Sequence, residues 1–339
     1  MKINFATKPI AACALFICAI SAFAQEKLVF GTNWKAQAGH GGFYQAVADG
    51  TYKKMGLDVD IQQGGPQMNN RPLLAVGKID FLMAGNLLLS FDNVKNGVPT
   101  VVVAAIFQKD PQAMFAHPGQ GYDKFSDLAK APTAIISKDG QFSFWQWMKA
   151  EHGFKDEQLK PYTFNVGPFL ADKKSVQQGY SISEPVSMKA QGFDPVVHLL
   201  ADNGFSTYST TIETRAELVR TKPEMVQKFV DASLIGWYNY LYGDNKAANE
   251  MIKKANPEAT DANIAGGIEL MKKLNIVDSG EALTNGIGAM NAARVKDFYD
   301  KMVKAGLYKP GDVDLSKVVT TQFVNKKVGM DVKAKAGVK

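Results

Sequence analysis

A chain of 339 residues with 46% hydrophobic residues and a net charge of +6 carries enough apolar material for two packed lobes. Basic and acidic residues are interspersed along it, so the excess is a mildly basic surface and not a footprint for nucleic acid. Both cysteines, Cys13 and Cys18, fall in the first 24 residues, which leaves the remainder without disulfides, thiolate metal sites or cysteine nucleophiles.

The first segment sets the compartment. Lys2 and Lys8 precede the apolar run Ile10–Ile20, and Ser21-Ala22-Phe23-Ala24 ends it with small residues at the right spacing. A basic start, a short apolar core and an A-x-A site predict a secretory signal over residues 1–24, cut between Ala24 and Gln25, and a periplasmic product. Eleven residues at about 1.5 Å each cannot cross about 30 Å of hydrocarbon. A lipid anchor is the alternative, although neither Cys13 nor Cys18 has good lipobox neighbours. No later apolar run approaches spanning length, and the net charge falls to +4 once Lys2 and Lys8 leave.

After the signal, short β-rich runs alternate with amphipathic segments, the pattern of an α/β fold. Strands are predicted at 28–33, 57–62, 79–83 and 100–108, with helices at 42–54, 71–76 and 86–95 between them. A second, smaller unit over 113–205 is predicted from strands at 133–137, 162–165, 178–182 and 196–200 and helices at 142–152 and 185–191. A crossing strand at 207–212 returns the chain to the first unit, so residues 25–112 and 206–325 form one lobe. Helices at 225–242, 261–274 and 292–305 complete it, with Pro223 at a helix start. Residues 326–339 are Lys-, Gly- and Val-rich without helical period and are expected to fray. Two lobes joined by two crossings leave a cleft, where small ligands characteristically sit.

Candidate site residues gather at the strand ends. Asn33-Trp34 closes the first strand ahead of Gly39-His40-Gly41-Gly42, and the carboxyl edge of an open α/β sheet is where ligands bind. The indole of Trp34 offers a stacking face, or it caps the core; His40 is a cleft-wall or turn histidine. Gly64-Gly65-Pro66 and Ala84-Gly85-Asn86 end the next two strands, letting a ligand approach backbone amides at Gly65 and the side chain of Asn86, and Gln108 ends the fourth. Tyr180 and Glu184 lie where a strand gives way to a helix; Glu184 either accepts from an amino or amidine group or complements the helix dipole. The aromatics of 142–147 read as core. His40, His117, His152 and His198 are scattered without metal spacing, and no nucleophile elbow is present, so neither metal, cofactor nor catalytic constellation is expected.

These residues resemble a family. Asn33-Trp34, His40 to Tyr44, Gly56 to Val59, Gly77 to Phe81, Pro168 to Asp172 and Gln177 to Pro185 are together similar to the NMT1/THI5-like solute-binding proteins, from about Lys27 to Lys222. The resemblance implies a type II periplasmic-binding fold and a partnership with an ABC permease and its ATPase. It also implies, in the best-known branch, an aminopyrimidine thiamine precursor lying by the residues that match Trp34 and Glu184. A monomer is expected. The one enzymatic relative, a fungal thiamine-pyrimidine synthase, uses a cofactor lysine and a consumed histidine where this chain has Ala84 and Leu88. Its cysteine-rich iron motif is replaced here by Gly204-Phe205-Ser206-Thr207-Tyr208, so the resemblance implies a binder and not an enzyme. A receptor for sulfonate, nitrate or taurine is the competing expectation, with Arg71 as its nearest cation.

Overall fold

The computed structural model describes Met1 and residues 25–65 and 68–337. The expected signal over 1–24 and its cleavage site lie almost wholly outside the described residues, as does Pro66.

Ten strands form two five-stranded sheets. In chain order they are β1 Glu26–Thr32, β2 Leu57–Gln62, β3 Phe81–Asn86, β4 Thr100–Phe107, β5 Gln112–Ala116, β6 Thr133–Ile136, β7 Leu159–Pro161, β8 Ser175–Tyr180, β9 Val196–Leu199 and β10 Ser209–Arg215. The first sheet runs β2-β1-β3-β10-β4 and the second β7-β6-β8-β5-β9. In each, four strands run in one direction and the fifth is inserted antiparallel between its neighbours. The inserted strands, β10 and β5, are those that follow the two crossings, so each lobe completes its sheet with the chain arriving from the other.

Every residue of β4 and of β5 is buried, which is why both are apolar without alternation after their first residues, Thr100 and Gln112. The free edge of β4 is covered by later chain: Val102 N–H donates to Val318 O (2.9 Å) and Ala105 N–H to Gly288 O (3.1 Å). Those bonds remove an exposed strand edge. The helix Pro223–Tyr242 lies beneath the first sheet, with Phe229 stacked on Phe81 at 3.8 Å between centroids and Trp237 edge-on to Phe43 and Phe107.

Several local expectations need correction. The predicted helix 42–54 is two helices, Gly41–Ala48 and Thr51–Lys54, because Gly50 takes φ +72° and the Asp49 carboxylate caps the Thr51 N–H at 2.9 Å. The predicted helix 142–152 starts two residues late, at Phe144, and runs to His152; a separate short helix, Lys138–Gln141, precedes it, with the break at Phe142-Ser143. Residues 162–165 are not a strand; Phe164 stands at φ +64°, outside any strand conformation. The tail is not frayed over its described part: Met330–Lys335 is helical, and Lys333 pairs with Asp278 at 2.9 Å. No helix among the described residues is long and apolar enough to cross a membrane.

Candidate functional site

The carboxyl edges of the two sheets face one another across a cavity enclosing about 540 Å³ of empty space. From the first lobe, the end of β1 supplies Asn33 and Trp34, the turn that follows supplies Gln37 and His40, and the end of β3 supplies Gly85 and Asn86. The crossing from β4 to β5 supplies Asp110, and β5 itself Gln112. From the second lobe come Ser137, Asp139, Ser143, Gln178, Tyr180 and Glu184. The break at Ser143 serves the site: its hydroxyl accepts from the Asn86 amide at 2.9 Å, while Asn86 Oδ1 caps the next helix through Leu88 N–H at 3.1 Å. Asn33 reaches Asp139 at 3.4 Å, and Ser183 donates to Gln37 Oε1 at 3.2 Å, so the two lobes meet through neutral amides and hydroxyls and one carboxyl.

Glycine is needed at two of these walls for close approach. A Cβ on Gly179 would lie 2.5 Å from the Glu184 carboxyl carbon, and one on Gly85 would lie 3.0 Å from an Asp139 oxygen.

Trp34 lines the cavity with one indole face backed by Tyr162, stacked at 5.9 Å and 27°. Phe164 meets the same indole edge-on at 5.8 Å. The electrostatics are set by three carboxyls, Asp110 and Glu184 buried and Asp139 half-buried. Burial pushes Asp110 up to about 7, against the Gln112 N–H (3.1 Å) and the Ser209 hydroxyl, and its Oδ2 makes no well-formed hydrogen bond. Burial likewise raises Asp139, opposed by the charge of Arg71 and by the Asn33 amide. Glu184 is raised by burial too, but both its oxygens are engaged, by Tyr162 O–H at 2.8 Å and Tyr180 N–H at 2.7 Å. Buried His40 is pushed down to about 3, so its ring is neutral, with Nδ1 unpartnered. Neither Lys nor Arg is among the described lining residues. Such a cavity favours a ligand offering hydrogen-bond donors or positive charge and a flat face for Trp34.

The structure therefore brings together Asn33, Trp34, His40, Asn86, Tyr180 and Glu184. It does not bring Gly65 or Gln108 there. Gly65 packs by Met68, and Gln108 turns its amide to the carbonyls of Ala105 (3.0 Å) and Ala289 (2.9 Å), which lack other donors beside the crossing. Arg71 is also elsewhere, held by Leu89 O and Asn93 Oδ1 at 2.6 Å each. Sequence reasoning missed Gln37, Asp110, Gln112, Asp139 and Gln178. The strand-end rule, applied to β4 and β6 as it was to β1 and β3, would have reached Asp110 and Asp139; Gln178, inside a strand, carries no such signal. Among the described residues no group of three or more His, Cys, Asp or Glu is placed to hold a metal ion.

The architecture is that of periplasmic binding proteins. A ligand-binding component of an ABC-type import system from Staphylococcus aureus, solved with zinc bound, superposes with a TM-score of 0.62 at 10% identity, covering 90% of this chain and all of that one. The desulfurization enzyme DSZB superposes at 0.53 with 11% identity, covering 91% and 99% of the two chains, so the fold by itself does not decide between binding and catalysis. By sequence, the riboflavin-binding protein RibY of Chloroflexus aurantiacus is 26% identical over 212 residues, and the match spans 60% of each protein's length. The NMT1/THI5-like profile matches residues 37–248, more than half of the sequence and most of the cavity wall, and the chain belongs to that family.

Proposed function

We propose that this protein is the binding component of an ABC importer, which captures a small nitrogen heterocycle by closing its lobes and delivers it to a permease and its ATPase in the inner membrane. The observation that carries the ligand class is the cavity's charge: Asp110 and Glu184 are buried in its wall, Asp139 is half-buried there, and none of its described lining residues is Lys or Arg. An aminopyrimidine supplies what such a wall lacks. Its ring covers the open face of Trp34, and its amino group donates to Asp110, whose Oδ2 makes no well-formed hydrogen bond. Glu184, saturated by Tyr162 and Tyr180, fixes the shape of the wall more than it reads the ligand. The distant riboflavin-binding relative supports a larger heterocycle as a cargo of the same kind. A sulfonate or nitrate would need cations that this wall does not offer, since Arg71 is spent on the helix Leu87–Lys95. Export by the N-terminal signal would place the protein in the periplasm, as a monomer.

Function without turnover distinguishes a receptor from an enzyme. Purified protein incubated with aminopyrimidines should show a raised unfolding midpoint and release the compound unchanged by mass spectrometry. Detection of a converted product would overturn the proposal, as would a midpoint raised only by sulfonates or nitrate.

A further inference from the structure

Next to the cavity stands a second, larger chamber enclosing about 1210 Å³ of empty space. Its walls are the turn at residues 37–39, the loop 162–166, the start of the helix Glu184–Ala190, and residues 256–264 that lead into the helix Asp261–Lys273. Gln37 and Glu184 line both spaces. The Ser183–Gln37 hydrogen bond at 3.2 Å and the Trp34–Tyr162 stack each link a wall of one space to a wall of the other.

We infer that the outer chamber is a second subsite of the same ligand site, taking a neutral, hydroxylated arm attached to the ring held in the inner cavity. The inference rests on the heterocycle reading of that inner cavity. Its first support is continuity, since the two spaces share two side chains and both lobes contribute to each. The second is polarity. Asn263 donates to Ser187 Oγ at 3.2 Å, leaving its carbonyl oxygen to accept and the Ser187 hydroxyl to donate, while the Asn165 amide nitrogen stands beside an oxygen taken by Gly167 N–H at 2.8 Å. These groups match hydroxyls in kind. The third is charge. Glu258 is neutralised by Lys35 at 2.5 Å, and that ammonium also lies 5.0 Å over the Phe164 ring, so no free cation waits for a phosphate or carboxylate. Glu184 on the shared wall repels one. The fourth is construction: Phe164 forms part of the rim while held at φ +64°, a conformation that a bulky residue adopts only when its surroundings impose it.

The test uses two matched series against the purified full chain by isothermal titration: cytosine, cytidine and cytidine monophosphate, and lumichrome, riboflavin and flavin mononucleotide. Each series is a bare ring, the ring with a neutral hydroxylated arm, and the ring with a phosphorylated arm. In whichever series binds, the neutral arm should tighten binding at least about tenfold over the bare ring, and the phosphate should reverse that gain. Asn165→Ala should reduce the gain and leave the bare ring's affinity as it was; Thr163→Val, on the same chamber wall, serves the same purpose should the first variant not fold. Equal binding of bare and armed rings, tightest binding of the phosphorylated compound, or equal weakening of bare and armed rings by the variant would each overturn the second subsite while the heterocycle reading stands. No binding by either series to a protein with a normal melting transition would overturn both.

Discussion

Asp110 combines burial, a raised pKa near 7 and an oxygen without a well-formed hydrogen bond, and each of these has a measurable effect. In the unfolded chain the carboxyl ionises near 3.8; in the folded protein it keeps its proton up to about 7. The folded state thus binds the extra proton between those values, and the group's contribution to stability falls as pH rises through that window. Donation from a ligand favours the carboxylate and lowers its pKa again. Affinity for an amino heterocycle whose own titration lies outside the window should therefore rise from pH 5.5 to 8, by up to about tenfold per unit below 7. Asp110→Asn should flatten that dependence in a calorimetric series. Trp34→Ala should cost about 1–3 kcal/mol of binding, the usual worth of ring stacking, with an unchanged pH slope. Trp34 was legible in the sequence because a strand end before a glycine turn places a side chain at the sheet's edge. Asp110 lay within reach of the same strand-end rule, but Gln178 did not, because which neighbours face a residue inside a strand depends on how two sheets are set, which no local pattern records.

At the level of elements, the helices Gly41–Ala48 and Pro223–Tyr242 approach so closely that glycine forms the contact from both sides. A Cβ on Gly42 would lie 2.2 Å from the Trp237 ring, and one on Gly236 would lie 2.3 Å from Gly42 O. Gly42→Ala should destabilise the protein by about 1–3 kcal/mol or more through overpacking, read as a lower urea midpoint with an unchanged slope. The helix carrying Gly42 begins one residue after His40, so the same variant should weaken ligand binding as the turn shifts. The long elements here were readable from periodicity: β2, β4 and the helices ending at Lys95 and Tyr242 fall within a residue or two of expectation. The short ones were not. β5 has five residues and no alternation, and the helix Met330–Lys335 has fewer than two turns, too little for a 3.6-residue period to register.

On the scale of the whole molecule, one side chain laces the two crossings together. The Arg294 guanidinium donates to Gln108 O on the outgoing crossing and, at 3.5 Å, to Thr207 O on the returning one. It also pairs with Glu281 at 3.0 Å and lies 4.0 Å over the Tyr208 ring. A lysine cannot span both carbonyls, so Arg294→Lys should loosen the hinge while keeping the charge. The ligand-free variant should show a larger radius of gyration by small-angle scattering, and affinity should fall by about 1–2 kcal/mol with the cavity wall intact. An unchanged radius and affinity would show that the guanidinium is only a fold contact.

The seam across the cleft carries a further property of the protein's working conditions. Asn86 with Ser143, Gln37 with Ser183 and Asn263 with Ser187 join the lobes without a full charge on either side, beside two contacts that do carry a charged group, Asn33 with the Asp139 carboxyl and the Lys35 ammonium over the Phe164 ring. Added salt screens ion pairs but barely touches an amide–hydroxyl pair. Lobe closure, and the affinity for an uncharged ligand that depends on it, should then change little from dilute buffer to brine, far less than it would if ion pairs alone held the lobes together.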